Sequence, residues 1–142
     1  MIQVFADLNP ILRPLGRLGG KLSNPTEFLE NTGGYLLKRA EQSFRTETDP
    51  YGKKWVSLSP ATIAQKERLG YPLKILTRTG SMRSSPRAIV QGKAVKIVVA
   101  FPSEFHQRGT RKMPQRQILP EGRLPKTDER NITDLAIEFL EL

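Results

Sequence analysis

The chain carries one histidine and no cysteine. Thiol catalysis, disulfides, Cys-ligated zinc and iron–sulfur clusters are therefore excluded, and imidazole chemistry has a single candidate, His106. A catalytic imidazole needs an orienting acid on one side and a nucleophile on the other. In Phe105-His106-Gln107-Arg108-Gly109-Thr110 the nearest carboxylate is Glu104, and no serine sits in a Gly-x-Ser-x-Gly turn. The residue types thus predict a structural His106. Metal-assisted hydrolysis needs two or three converging carboxylates, whereas residues 50–126 offer only Glu67, Glu104 and Glu121, far apart in sequence. Gly16 to Leu22 lacks the G-x-x-x-x-G-K-[ST] spacing of a phosphate loop. Asp49 to Gly52 places one carboxylate beside Lys53 and Lys54, which is electrostatically wrong for calcium. The expectation is no enzyme, no metal and no cofactor.

Charge is the stronger signal. The net charge is +9, and it is unevenly distributed. Residues 66–126 hold 14 Lys and Arg against three acids, a local +11, while from Asp128 onward five acids oppose Arg130 alone, a local −4. A basic surface draws anionic partners, nucleic acid or acidic protein, and opposite-sign regions within one chain suit head-to-tail contact between copies. Two stretches stand out. Glu47 to Ser59 is polar but carries Tyr51 and Trp55, large aromatics that serve either the domain's own core or a partner; for Trp55 the core is the preferred reading. Phe105 to Arg116 gathers Arg108, Arg111, Lys112 and Arg116 without an acid, as a solvated basic loop or a loop that touches anions or subunits. The apolar runs, such as Ile97 to Phe101, fall far short of the ~20 residues that span a bilayer, so no membrane association is expected.

The elements that must position these residues follow from periodicity. Ile2 to Ala6 alternates as a strand, and Asn9-Pro10 opens a short helix through Leu8, Ile11, Leu12, Leu15 and Leu18 that Pro14 and the following glycines weaken. Pro25 to Arg45 reads as a helix capped by Asn24 with proline in its first turn. Phe28, Leu29, Leu36, Leu37, Ala40 and Phe44 form its stripe. Gly33-Gly34 marks either a kink or a close backbone approach. Asp49-Pro50-Tyr51-Gly52 has the residues of a tight turn. Ser59-Pro60 starts another helix through Ile63 and Leu69, ended by Gly70. Arg87 to Ala100 alternates around a Gly92-Lys93 hairpin turn, and Arg116 to Leu119 reads as a further strand. Ile132, Leu135, Ala136, Phe139 and Leu140 have the spacing of an amphipathic C-terminal helix over 127–142. The predicted class is α+β: one domain over 1–142, with a small antiparallel sheet packed by three or four helices, the segment 1–24 being its least defined part.

Three ordered blocks carry a resemblance: Arg45 to Thr62 with the pattern D-P-x-G-x-x-W-x-x-L-S-P-x-T, Ile75 to Ser85, and His106-Gln107-Arg108-Gly109. Over about residues 25–142 they closely resemble the virion morphogenesis (tail completion) family of tailed phages, which includes a Mu-type member. The resemblance implies a noncatalytic structural protein of the virion, assembled in the host cytoplasm. Its place would be the neck or the head-proximal end of the tail, in a ring of six or twelve copies that joins a completed tail to a DNA-filled head. Other copies, head-closure proteins and tail tube or terminator proteins are the implied neighbours, with nonspecific contact to DNA in the channel. Tyr51, Lys53, Lys54, Arg108, Arg111, Lys112 and Arg116 are the expected partner contacts. Asp49, Pro50, Gly52, Trp55, Leu58, Ser59, Pro60, Gly80, His106, Gln107 and Gly109 are the motif positions expected to build the frame. The competing reading is a basic nucleic-acid-binding module. It lacks a helix-turn-helix or RNA-recognition signature, and its basic stretch has no interleaved aromatics.

Overall fold

A computed structural model describes residues 1–15 and 25–141. The expected Gly16–Leu22 turn, Leu18 and the Asn24 cap lie outside the described residues. The element order is β1 (Ile2–Phe5), α1 (Asn9–Leu15), α2 (Thr26–Thr46), α3 (Pro60–Leu69), β2 (Arg87–Gln91), β3 (Ala94–Val99), α4 (Ser103–Arg108) and α5 (Lys126–Glu141). The fold is α+β, a three-stranded antiparallel sheet with five helices among the described residues.

The sheet has the order β1-β3-β2, with Val4 paired to Ile97 and Ala88 to the same residue from the other side. Alternation sends Ile2, Val4, Val95, Ile97, Val99, Ala88 and Val90 to one face, where they join the core, and leaves Phe5, Lys96 and Ile89 in a row on the other. The turn between β2 and β3 works because Gly92 takes φ of 61°, as the two-residue hairpin requires. Helix α2 packs its apolar stripe on the inner face, burying Phe28, Leu29, Leu36, Ala40 and Phe44. Gly33 is the point of closest approach, since a Cβ there would lie 3.1 Å from that of Ala88. Gly33 is thus a site of close packing in an unbroken helix, while Gly34 has open space around it. Helix α5 closes the core against α1 and α2 through Ile132 and Ala136, with Phe139 beside Phe28 at a ring separation of 6.3 Å.

Three local expectations need correction. Pro25 stands at the N-cap of α2, with ψ of 22°, one residue before the position its fixed φ favours. Helix α3 lies where its capping residues place it, although it buries none of its residues and Leu69 is exposed. The helix is set by its ends, where the Ser59 hydroxyl accepts the Thr62 N–H at 3.2 Å and Gly70 takes the left-handed conformation. Arg116 to Leu119 forms no strand, and a side chain rather than a neighbouring strand bonds its backbone groups. Residues 105–108, expected as the start of the 105–116 loop, belong to α4, a helix too short to show periodicity in sequence.

Candidate functional site

The loop after α2 is built by hydrogen bonds that account for its motif residue by residue. Glu47 ends α2 in the left-handed conformation, with φ of 57°. The Asp49 carboxylate accepts from the backbone N–H of Tyr51 at 2.8 Å and of Lys53 at 2.9 Å, and Gly52 turns the chain with φ of 94°. The loop closes on itself where Trp55 N–H donates to the Glu47 carbonyl at 2.8 Å. Pro50 is buried, and its carbonyl accepts from Arg39. The Tyr51 ring is half exposed, yet its hydroxyl is held at the carbonyls of Glu121 and Arg123, 3.2 and 2.9 Å away. Trp55 is buried edge-on against Phe44 with ring centroids 5.7 Å apart, and its indole N–H donates to the Gln117 carbonyl at 2.8 Å. Trp55 therefore joins α2 to the 116–119 segment; α3 has no buried residue to offer it.

That segment is held by Gln107 and Arg116. The buried Gln107 amide oxygen accepts from the backbone N–H groups of Ile118 and Leu119 at 2.8 and 3.0 Å, while its amide nitrogen donates to the Leu119 carbonyl at 2.7 Å. One side chain does the work of a neighbouring strand, which is why the stretch looks like a strand in sequence and is none in the fold. Arg116, expected at the surface, turns inward and is 8% exposed; its guanidinium donates to the carbonyls of Val56 and Ser57 at 2.8 and 3.1 Å. This corrects its grouping with the exposed Arg108, Arg111 and Lys112. Gly109, with φ of 76°, lets the chain fold back tightly: a Cβ there would meet the backbone nitrogen of Gln115 at 2.9 Å.

These clamps shape a groove of about 660 Å³ on which all three sequence blocks converge. Residues 56–59 and the start of α3 form one wall. The turn around Gly80, which has φ of 87°, forms a second, and His106 with Lys112 to Arg116 forms the third. Leu58, Leu76, Met82 and Met113 give it apolar surface; Lys66, Arg78, Lys112 and Arg116 give it cations; no Asp or Glu lines it. The Lys66 ammonium donates to the carbonyls of Lys74 and Thr77 at 2.6 and 2.8 Å. Arg78 lies over the Tyr71 ring, 4.8 Å from its centre. No carboxylate among the described residues pairs with Lys66 or Arg116 within salt-bridge distance. Burial pushes Lys66 below the ordinary lysine range; Glu47 opposes that shift and Arg116 adds to it. Burial likewise lowers Arg116, against the pull of Glu47, whose carboxylate accepts the Ile75 N–H at 2.7 Å.

His106 is half buried, and its Nδ1 has no hydrogen-bond partner. Burial, with the Arg116 charge second, lowers its pKa, so the ring is neutral near pH 7. No carboxylate is bonded to it, and no group of three or more His, Asp or Glu among the described residues is placed to hold a metal. The groove lining combines cations with apolar side chains, and its residues offer no triad. Lys53, Lys54, Arg111 and Lys112 are exposed, and Arg108 reaches Glu121 at 3.6 Å from a largely solvated position. The sequence counts Lys66 and Arg78 in the basic stretch 66–126, and Arg78 in the Ile75–Ser85 block, without marking either as a site residue, and nothing in it reveals the bonding role of Gln107.

No helix among the described residues is long and apolar enough to cross a membrane. Comparison with curated proteins and with solved structures returned no match. A family model does match, over residues 6–141, nearly the whole chain and all three blocks that frame the groove. On that match the chain belongs to the phage virion morphogenesis family and has a structural or morphogenetic role in making the phage particle.

Proposed function

We propose that the protein is a noncatalytic ring component at the neck or head-proximal tail end, where it completes the tail and joins it to the DNA-filled head. The observation that carries this reading is the groove: three motif blocks, each tied by hydrogen bonds to a distant part of the chain, frame a cation-lined surface that has no catalytic set. A contact between rigid subunits needs such preorganisation, because ordering loops at the moment of assembly subtracts from affinity. Surface charge of opposite sign supports heterologous contacts, the kind that closes into a ring when the rotation between copies divides a full turn.

The test is complementation. Phage lacking this chain should accumulate filled heads and tails that do not join, and purified protein added to that lysate should restore infectious particles. Joined, infectious particles formed without the chain would overturn the proposal. Exposed Arg108, Arg111 and Lys112 keep a duplex-binding reading in view. If they track phosphates, replacing all three with Ala should flatten the log–log salt dependence of DNA affinity by about 2.7 units. The connector reading expects weak DNA affinity and little change.

A further inference from the structure

The groove contains an electrostatic imbalance that the frame alone does not explain. Arg116 is buried and Lys66 partly buried, both are bonded only to backbone carbonyls, and Lys112 and Arg78 stand at the rim, yet no acid lines the cavity. Glu47 attracts both cations without bonding either, and no other carboxylate acts on them, so the site gains from an anion delivered with apolar surface, because Leu58, Leu76 and Met113 form its walls. The recessed position of Arg116 argues against a duplex backbone as that anion, since phosphates on a wide cylinder reach exposed cations first.

The chain itself displays a matching ridge. Helix α5 is fixed to α1 and α2 through buried Ile132 and Ala136, and its opposite side exposes Asp134, Ile137 and Glu138. At i, i+3 and i+4 these three lie together on one face, an apolar side chain flanked by two carboxylates. Ile137 is 41% exposed, an uncovered β-branched residue on a helix whose other side is fully used. Arg130, one turn earlier, is the only cation near this ridge in sequence. Neither α1 nor α2 lines the groove, so the helix that carries the ridge is anchored away from its own groove.

We propose that the groove receives the Asp134–Ile137–Glu138 ridge of a second copy, with Ile137 against the Leu58–Leu76–Met113 walls and the carboxylates facing Lys112, Arg78 and the recessed Lys66–Arg116 pair. This rests on the ring reading above and specifies its subunit contact. The contact is heterologous: each copy offers a ridge and a groove, so it propagates until it closes.

A charge swap tests it. Arg78→Glu with Lys112→Glu reverses the rim without touching a buried group, and Asp134→Lys with Glu138→Lys reverses the ridge. Self-association would be followed by sedimentation from micromolar to millimolar protein at low salt, with Trp55 fluorescence confirming that each variant folds. The expected result is that either reversal raises the concentration needed for assembly at least tenfold. Mixing the two reversed proteins, or combining both reversals in one chain, should restore it. If the parent self-associates and the reversals leave it unchanged, the groove assignment fails while the ring reading stands. If the parent does not self-associate at any concentration, both fail together. Reversals that spare self-association but block head–tail joining would assign the groove to a different protein, and reversals that only weaken duplex binding would assign it to DNA; either overturns the second-copy contact.

Discussion

Replacing Gln107 with Leu tests whether a single side chain holds the 116–119 segment in place. Leucine is similar in size and apolar, so packing is nearly kept while three backbone partners are lost: the N–H groups of Ile118 and Leu119 and the Leu119 carbonyl. Ile118 and Leu119 are both buried, at 1% and 2% exposure, so water does not replace the amide unless the segment lifts away. A buried group left without a partner costs roughly 1–3 kcal/mol. The Leu119 carbonyl keeps the Gln117 amide as a donor, so two N–H groups are left unbonded, at least ~2 kcal/mol and a substantial share of the ~5–15 kcal/mol that stabilises a typical domain. The assay is urea unfolding read by fluorescence of the one tryptophan. Its indole is bonded to the Gln117 carbonyl, so the signal reports on the same segment. Gln107→Leu should lower the midpoint in proportion to that loss. Gln117→Ala, which removes only a donor to the Leu119 carbonyl, should shift it by about 1 kcal/mol or less. A Gln107→Leu protein that unfolds within ~0.5 kcal/mol of the parent would refute the reasoning, since that is the range of an uninvolved surface change.

Trp55→Ala should cost ~3–5 kcal/mol, and Trp55→Phe about 1–2 kcal/mol, the second keeping the ring against Phe44 but leaving the Gln117 carbonyl unbonded; calorimetry separates the two. Gly109→Ala combines a positive φ with a 2.9 Å clash against the Gln115 backbone, so it should destabilise by more than the ~1 kcal/mol of an ordinary glycine replacement, whereas Gly34→Ala, with open space around it, should be neutral or stabilising in thermal melts. The lowered pKa of His106 sets a sign for pH dependence. The unfolded chain takes up the proton near pH 6.5, before the folded one does, so this contribution is intact above that pH and is lost as pH falls through the folded value. His106→Gln should remove that part of the acid sensitivity in unfolding curves measured from pH 7.5 to 5.

Elements whose faces are buried over several turns were legible in the sequence. The stripes of α2 and α5 lie where the 3.6-residue period placed them, and Gly92-Lys93 turns the hairpin that joins β2 to β3. Local capping chemistry also located α3, through Ser59 and Gly70, although the helix buries nothing. What composition hides is direction. Arg116 reads as one more surface cation in a basic run, yet only the approach of the Val56 and Ser57 carbonyls, some sixty residues earlier, decides that it turns inward. Gln107 reads as an ordinary polar helix residue because its partners lie 11 and 12 positions away, with a reversal of the chain between. The same non-locality conceals the groove. Lys66, Arg78 and Lys112 come from three separate segments, and only the folded chain brings them onto one surface without an intervening acid.

Whether the chain works as an assembled structural part is decided by a symmetry-resolved reconstruction of the mature particle. The account predicts a closed ring of this chain where head meets tail, with the Asp134–Glu138 side of each α5 seated in the neighbouring groove. A particle that lacks the chain, or that carries it as isolated copies away from the junction, would contradict it.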